Sequence, residues 1–328
     1  MLGQKKLAVL DLVEGLHLAY AARTLQELGL VKRMRTPNTA RNLARGGLDE
    51  EILRGILDYL VARTTLVRRK NSRYSISADF DSHAEFVLRL YVGAYGRSAA
   101  RLRDSCADLE AARRSVDRRS QAEAFQPATH GAHYPMNGLT ALVRQLRLTH
   151  LCDLGCGTGE LLAELAVADR AFHGWGIERN LHACRTARHR LREFGLEGRI
   201  KILRADATDP SVALPREVRL QAQAITACDF ANEMCREGGE LLGRWLAKLK
   251  RVVPGRALLI SDYYGRLGSG RKASRETLLH DFAQVISGQG TPPPNREGWR
   301  SLYRSAGCQL IHSLEDTTTT RFIHVVRL

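Results

Sequence analysis

Long apolar runs are missing from this sequence: none approaches the ~20 residues that a membrane-spanning helix needs. A secretory leader is not expected either, because acidic residues interrupt the opening stretch MLGQKKLAVLDLVEGLHLAY and no small-residue cleavage site follows. The expectation is a cytoplasmic protein. The seven cysteines include no Cys-x-x-Cys pair, and an odd, scattered set implies neither a disulfide framework nor a zinc site, so no metal is expected. Lysine is scarce, with 8 residues against 42 arginines. The resulting net charge of +15 is spread along the chain without a block of one sign. Internal repeats and low-complexity tracts are absent as well. What is present is enough apolar material, 44% of 328 residues, for two packed domains.

Residues 1–125 read as mainly helical. KLAVLDLVEGLHLAYAARTLQELGL is apolar at helical spacing and ends near Gly29. A helix from Asn38 to Ala44, a Gly46-Gly47 turn and a helix from Asp49 to Ala62 follow. LVRR, the turn KNS and RYSIS then read as a hairpin, which gives the order of a winged helix-turn-helix. AEFVLRLYVGAYGRSAARLRDSCADLEAARR, 84–114, reads as one further long helix. QPATHGAHYPMNG, 126–138, is a Gly/Pro-containing break and the expected linker. From 139 to 328 strands alternate with helices, at 149–154, 172–178, 200–205, 221–228, 257–263, 308–314 and 320–327. Alternation of that kind implies an α/β fold with a mostly parallel sheet and helices on both faces. LEDTTTT is too short for a parallel crossover, so the last strand is expected to run antiparallel.

The first strand runs into DLGCGTGE. Gly155, Gly157 and Gly159 let the backbone approach a ligand closely, with Cys156 and Thr158 completing the turn. A dinucleotide site would want glycine at the sixth position of its fingerprint, where this chain has Glu160. Asp153 and Glu160 beside an anionic pyrophosphate are unfavourable. S-adenosylmethionine, with an ammonium, a sulfonium and no phosphate, fits better. The next two strands end in acids. Glu178, in FHGWGIE and followed by Arg179, suits the ribose hydroxyls. Asp206, in IKILRADATD, suits the adenine amine, with the Ala207 backbone at the ring edge.

With these residues, 149–328 resembles a class I S-adenosylmethionine-dependent methyltransferase, a Rossmann-like sheet whose last strand is antiparallel. Residues 1–120 resemble the winged-helix dimerisation domain in front of many small-molecule O-methyltransferases of secondary metabolism. The resemblance implies S-adenosyl-L-methionine as methyl donor and S-adenosyl-L-homocysteine as product. It also implies a homodimer in which two chains share each acceptor pocket. It further implies that Tyr134 and Met136, just before the first strand, cover the cofactor.

In plant-type members the base is a histidine after the fourth strand, in a stretch similar to ACDFANEMC, 227–235. Asp229, Phe230, Asn232 and Glu233 match in spacing, but the histidine position holds Cys228, which then lies on the cofactor side. Three readings stay open. The acceptor already has a lone pair or charge; or an amine or guanidine sits in a carboxylate-lined pocket of Asp229, Glu233 and Glu237; or a base comes from elsewhere, with His130, His133 and His280 as candidates. Arg296, in the proline-rich stretch GQGTPPPNREGW, is a further group for an acceptor carboxylate. The main rival is nucleic-acid methylation, suggested by the winged-helix order and the charge. It ranks lower because the helix at DEEILRG opens with three acids, which repel phosphates. A dinucleotide oxidoreductase ranks lower still.

Overall fold

The computed structural model describes residues 8–128, 136–316 and 319–328. The chain divides into two units, Met1–Gly96 and Arg97–Leu328. This division falls ahead of the 125/126 boundary read from the sequence, because the short helices after residue 97 make their contacts with the second unit. The expected linker lies largely outside the described residues. No helix among them is long and apolar enough to cross a membrane.

The first unit begins with α1 (Val9–Glu27), which ends before Gly29 in the left-handed region (φ 66°). Asn38 and Thr39 do not extend a helix. They form β1 (Asn38–Thr39), and Thr39 caps α2 (Ala40–Leu43) by accepting from Asn42 N at 3.2 Å. The next helix, α3 (Glu50–Arg63), is capped by Asp49, whose Oδ1 accepts from Ile52 N at 2.9 Å. Glu50 and Glu51 then sit where the helix dipole favours negative charge, so these acids serve the helix start. Its buried face is Leu53, Leu57 and Leu60, while Ile52 points outward. The hairpin β2 (Val67–Lys70) and β3 (Arg73–Ile76) completes a small sheet in the order β1-β3-β2, with both pairings antiparallel.

The long helix expected over 84–114 is broken. An α-helix, α4 (Ser82–Val87), passes into a π-helical turn at Leu88–Ala94, then α5 (Gly96–Ala100), α6 (Leu102–Ala107) and α7 (Leu109–Arg114) follow. Asp108 shows why local chemistry wins here. Its backbone is extended and its side chain accepts from Glu110 N at 2.8 Å, so the residue opens a new helix instead of continuing the old one.

The second unit carries the seven strands read from the sequence: β4 (His150–Leu154), β5 (His173–Glu178), β6 (Ile200–Arg204), β7 (Ala224–Cys228), β8 (Ala257–Tyr263), β9 (Gln309–Glu315) and β10 (Arg321–Arg327). Their order is β6-β5-β4-β7-β8-β10-β9. The first five are parallel, and β10 runs antiparallel between β8 and β9. Alternate strand residues feed two cores. On one face α8 (Glu160–Ala168) and α9 (Leu181–Glu193) pack on Leu151, Ile200 and Leu259. On the other, α10 (Glu240–Val252) lays Leu242, Trp245, Leu246 and Leu249 against Ile225 and Leu258, at the spacing of one helical face. α11 (Arg275–Ile286) and α12 (Arg296–Ser305) complete the helices used below.

Glycines in β5 set how closely the first core packs. A Cβ on Gly176 would lie 2.5 Å from Cys156 Sγ and 2.8 Å from Ile202 Cδ1. Gly176→Ala is therefore expected to destabilise the protein by about 1–3 kcal/mol, the usual cost of overpacking. Urea unfolding of the variant beside the wild type measures it, and an unchanged midpoint contradicts the packing account.

Candidate active site

The glycine turn joins β4 to α8 and is tied to β5: Gly155 N and Cys156 N both donate to Ile177 O, at 2.9 and 3.2 Å. Gly155, Gly157 and Gly159 all have positive φ, a conformation costly for residues with a Cβ. At Gly155 space matters as well, since a Cβ would lie 2.7 Å from the Phe230 ring. At Gly157 a Cβ would meet nothing within 4 Å, so that backbone faces open space. Gly157 N donates to Glu178 Oε2 at 3.1 Å, and Asn180 N donates to Oε1 at 2.7 Å. Asn180 also caps α9 through His182 N and Ala183 N. The acid at the end of β5 is thus held against the turn by two backbone donors. Burial raises its pKa, and the two backbone bonds oppose that.

Behind the turn, Asp153 is buried and accepts from Thr226 Oγ1 at 2.7 Å. Burial, reinforced by the charges of Glu178 and Glu160, pushes its carboxyl up to about 7. Glu160 is not the free carboxylate that the sequence suggests. Arg190 pairs with it, and Arg190 Nη1 also donates to Thr158 O at 3.1 Å. Its charge is neutralised inside the turn, so it argues less against a pyrophosphate than its position in the sequence implies. Further along the edge, Asp206 is half-exposed and accepts from Thr208 N and Oγ1 at 3.0 and 2.7 Å. Arg179 lies 3.9 Å from both Asp206 and Glu233. Ala207 is buried, and its carbonyl accepts from Trp245 Nε1 at 2.9 Å.

A second group of polar residues sits where β7 and β8 end. Asp229 has a left-handed backbone (φ 46°), and its N donates to Ser261 O at 2.9 Å. Arg321 pairs with Asp229 Oδ1, while Oδ2 is buried without a hydrogen-bond partner among the described residues. Asp262 is fully buried and accepts from Asn232 N and Tyr263 N, both at 2.9 Å. Burial and the nearby Asp229 charge hold its carboxyl well above the ordinary range. Arg321 lies over the Tyr263 ring at 5.7 Å, and His280 meets that ring edge-on at 4.9 Å. Burial, then the Arg321 charge, pushes His280 down to about 4, so its ring is neutral at physiological pH. The Tyr263 hydroxyl is buried and likewise has no partner among the described residues.

The residues singled out in the sequence therefore separate. Asp229 and His280 share one electrostatic neighbourhood. Glu233 turns away, held by Arg118 at 2.8 Å and facing Arg179. Cys228 ends β7 between the two groups, and burial keeps its thiol protonated. Glu237 is exposed and pairs with Arg236, and Arg296 pairs with Glu315 at 2.9 Å. His130, His133 and Tyr134 lie outside the described residues, as does the Met136 side chain. Sequence reasoning missed Thr226, Asp262, Arg118 and Arg321. Only Asp262 had a signal, as an acid at a strand end, the feature that singled out Glu178 and Asp206.

No family model matches the sequence, and no curated protein matches it. Solved structures do. The chain superposes on the mitomycin 7-O-methyltransferase MmcR with a TM-score of 0.75 at 18% identity, covering 97% of this chain and 96% of that one. It superposes on human N-acetylserotonin methyltransferase in complex with SAM with a TM-score of 0.73 at 17% identity, covering 100% and 99%. PigF with SAH gives 0.71 at 19% identity, covering 98% and 100%. At these identities the likeness is one of fold, and it extends over both units.

Asp153 gives a pH test of the site. Its folded pKa, about 7, lies above the ordinary 3.8, so the folded state binds the extra proton between these values. Its contribution is fully present below about pH 4 and is lost as pH rises towards 7. Asp153→Asn mimics the protonated form. Thermal unfolding from pH 4 to 7 should show the variant gaining on the wild type as pH rises. A constant difference rules out the buried-acid account.

Proposed function

We propose that this protein is an S-adenosylmethionine-dependent methyltransferase that methylates an oxygen or nitrogen of a small molecule. The observation that carries this reading is the Glu178 carboxylate, held by Gly157 N and Asn180 N beside the open backbone at Gly157. A carboxylate fixed there suits a pair of ribose hydroxyls, and the unshielded glycine backbone suits close approach of a ligand chain. The fold shared with methyltransferase structures, two of them bound to SAM or SAH, supports the same donor. In this reading Gly155–Gly159 and Asp153 hold the amino-acid end, Glu178 the ribose, and Asp206 with Ala207 the adenine. Cys228 borders the methyl group.

When bound, S-adenosylmethionine supplies an electrophilic methyl group on a sulfonium. The protein's task is to hold the acceptor lone pair in line with it, which is mainly positioning. Asp229 Oδ2 accepts the hydrogen of the acceptor O–H or N–H and keeps that proton as the new bond to carbon forms. Arg321, on the other carboxylate oxygen, orients Asp229 and limits the cost of its buried charge. His280 is neutral and lies within the electrostatic reach of Asp229 and Arg321. This arrangement does the work of the histidine that Cys228 replaces. The same carboxylate oxygen also suits a nitrogen acceptor that enters as an ammonium or guanidinium: it takes the proton that must leave before the nitrogen lone pair can attack, which keeps N-methylation as the second reading. Glu233, committed to Arg118 and Arg179, then serves the cofactor side.

The first unit, in this reading, is a winged-helix domain that joins two copies into a homodimer. Val9, Leu10, Leu12, Val13, Leu16 and Tyr20 of α1 are exposed, an apolar face that a partner helix would cover. The location proposed is the cytoplasm.

Three outcomes are expected. Calorimetry should find S-adenosylhomocysteine binding that Glu178→Ala weakens about 10–100-fold, the value of charged hydrogen bonds. No binding by the wild type removes the proposal. Screening phenols, amines, guanidines and carboxylates with labelled methyl donor should find an acceptor whose turnover Asp229→Asn lowers about 100-fold, with S-adenosylhomocysteine affinity unchanged. Full activity of that variant returns the proton-accepting role to another group. Sedimentation should give a dimer that the double variant Leu12→Glu, Leu16→Glu converts to monomer, and a wild-type monomer with full activity excludes a shared site.

A further inference from the structure

Away from the strand ends, the broken helix of residues 96–114 forms a second concave site. A cavity of about 250 Å³ lies between α5–α6 and α7. Along its first wall stand Arg97 of α5, Arg101 at the break between the helices, and Ser105 of α6. Arg114 faces them from α7, where the small Ala111 and the capping Ser115 leave room for the hollow. The walls are fastened together: Ser98 Oγ donates to Ser115 Oγ at 2.6 Å, which donates to Ala112 O at 2.5 Å, all buried. The floor of the hollow is therefore part of the packing, while Arg97, Arg101, Asp104 and Arg114 form its exposed rim.

Its chemistry is one-sided. Three guanidiniums line it against a single carboxylate, Asp104. Arg97 and Arg101 make no ion pair among the described residues, and Arg114 has only a long contact, 3.7 Å, with Asp108. Other arginines of the chain face a carboxylate singly, as Arg63 does Glu14, Arg119 Glu123 and Arg244 Glu240; here three gather at one hollow. The Ser105 hydroxyl is buried and has no partner among the described residues. Unsatisfied buried polar atoms are uncommon in folded proteins, and this one lines the same cavity as the unmatched guanidiniums. Like charges gathered at one hollow repel unless an anion shares them, and guanidinium forks match tetrahedral oxyanions bidentately. The volume lies below the roughly 300–1,000 Å³ typical of sites for whole drug-sized molecules, so it suits a compact group.

We infer that this cavity is a binding site for a phosphate group, as the free ion or as a phosphate monoester, with Arg97, Arg101, Arg114 and Ser105 as its donors. The site is separate from the glycine turn and does not depend on the methyltransferase reading.

Calorimetric titration of the full chain with inorganic phosphate and with glycerol 3-phosphate, both with S-adenosylhomocysteine present, tests it. The expected result is saturable binding of at least one probe at about 1 mM or tighter. Arg101→Ala, and separately Ala111→Glu, which puts a carboxylate into the hollow, should each weaken it about tenfold or more. Arg251→Ala on α10, a charge control outside the cavity, should leave it unchanged. A tighter fit of the ester assigns a phosphorylated metabolite, and a tighter fit of inorganic phosphate assigns the free ion. No saturable binding below about 10 mM overturns the proposal. Equal losses in the Arg251 control also overturn it, since they trace binding to the general charge of +15. The altered residues are at most half-buried, and thermal unfolding confirms that each variant is folded.

Discussion

Parallel pairing aligns the C-terminal ends of β6, β5, β4, β7 and β8, and the candidate site is built on that row. The register sets Leu154 beside Ile177 and Ala227, Glu178 beside Arg204, and Cys228 beside Ser261. Each strand therefore releases its next residue at the same edge of the sheet, where a ligand of one strand's width meets several chain segments. The glycine turn, Glu178, Asp206 and Asp229 are far apart in sequence and become neighbours because the ladder forbids any other arrangement. A shift of one residue in any pair would also turn alternate side chains to the opposite core.

That edge gathers buried acids, and each is managed differently. Asp153 keeps Thr226 as donor and shifts towards its protonated form. Glu178 has two backbone amides, Glu160 has Arg190, and Asp229 has Arg321 on one oxygen only. Unmatched buried carboxylates cost several kcal/mol, so these partners are conditions for folding as well as for function. Asp229 Oδ2 and the Tyr263 hydroxyl, both without a partner among the described residues, are where the second group is chemically incomplete.

β10 is the other decisive element. Because it runs antiparallel between β8 and β9, its first residue, not its last, reaches the row of strand ends. Arg321 pairs in register with Tyr263 and so meets Asp229, 92 residues earlier in the chain. The same strand brings His324 under Tyr264 and Tyr303, closing the core on that side. A single inserted strand thus supplies both the cation of the site and a buried polar anchor for the sheet.

Much of this was legible in the sequence alone. The strand positions, the glycine turn, the acids at the ends of β5 and β6 and the antiparallel last strand all follow from local rules: short apolar runs alternating with helical patterns, glycine where φ is positive, and a connection too short to cross over. Local rules also explain where the reading failed. Asp108 and the π-helical turn broke a helix whose apolar pattern was continuous. Tertiary structure alone decided the strand order, the pairing of Glu160 with Arg190, the separation of Glu233 from Asp229, and the meeting of Asp229 with Arg321. Those depend on which segments pack side by side. Long-range partners are chosen by the whole fold, while propensity and turn chemistry act only over a few neighbouring residues.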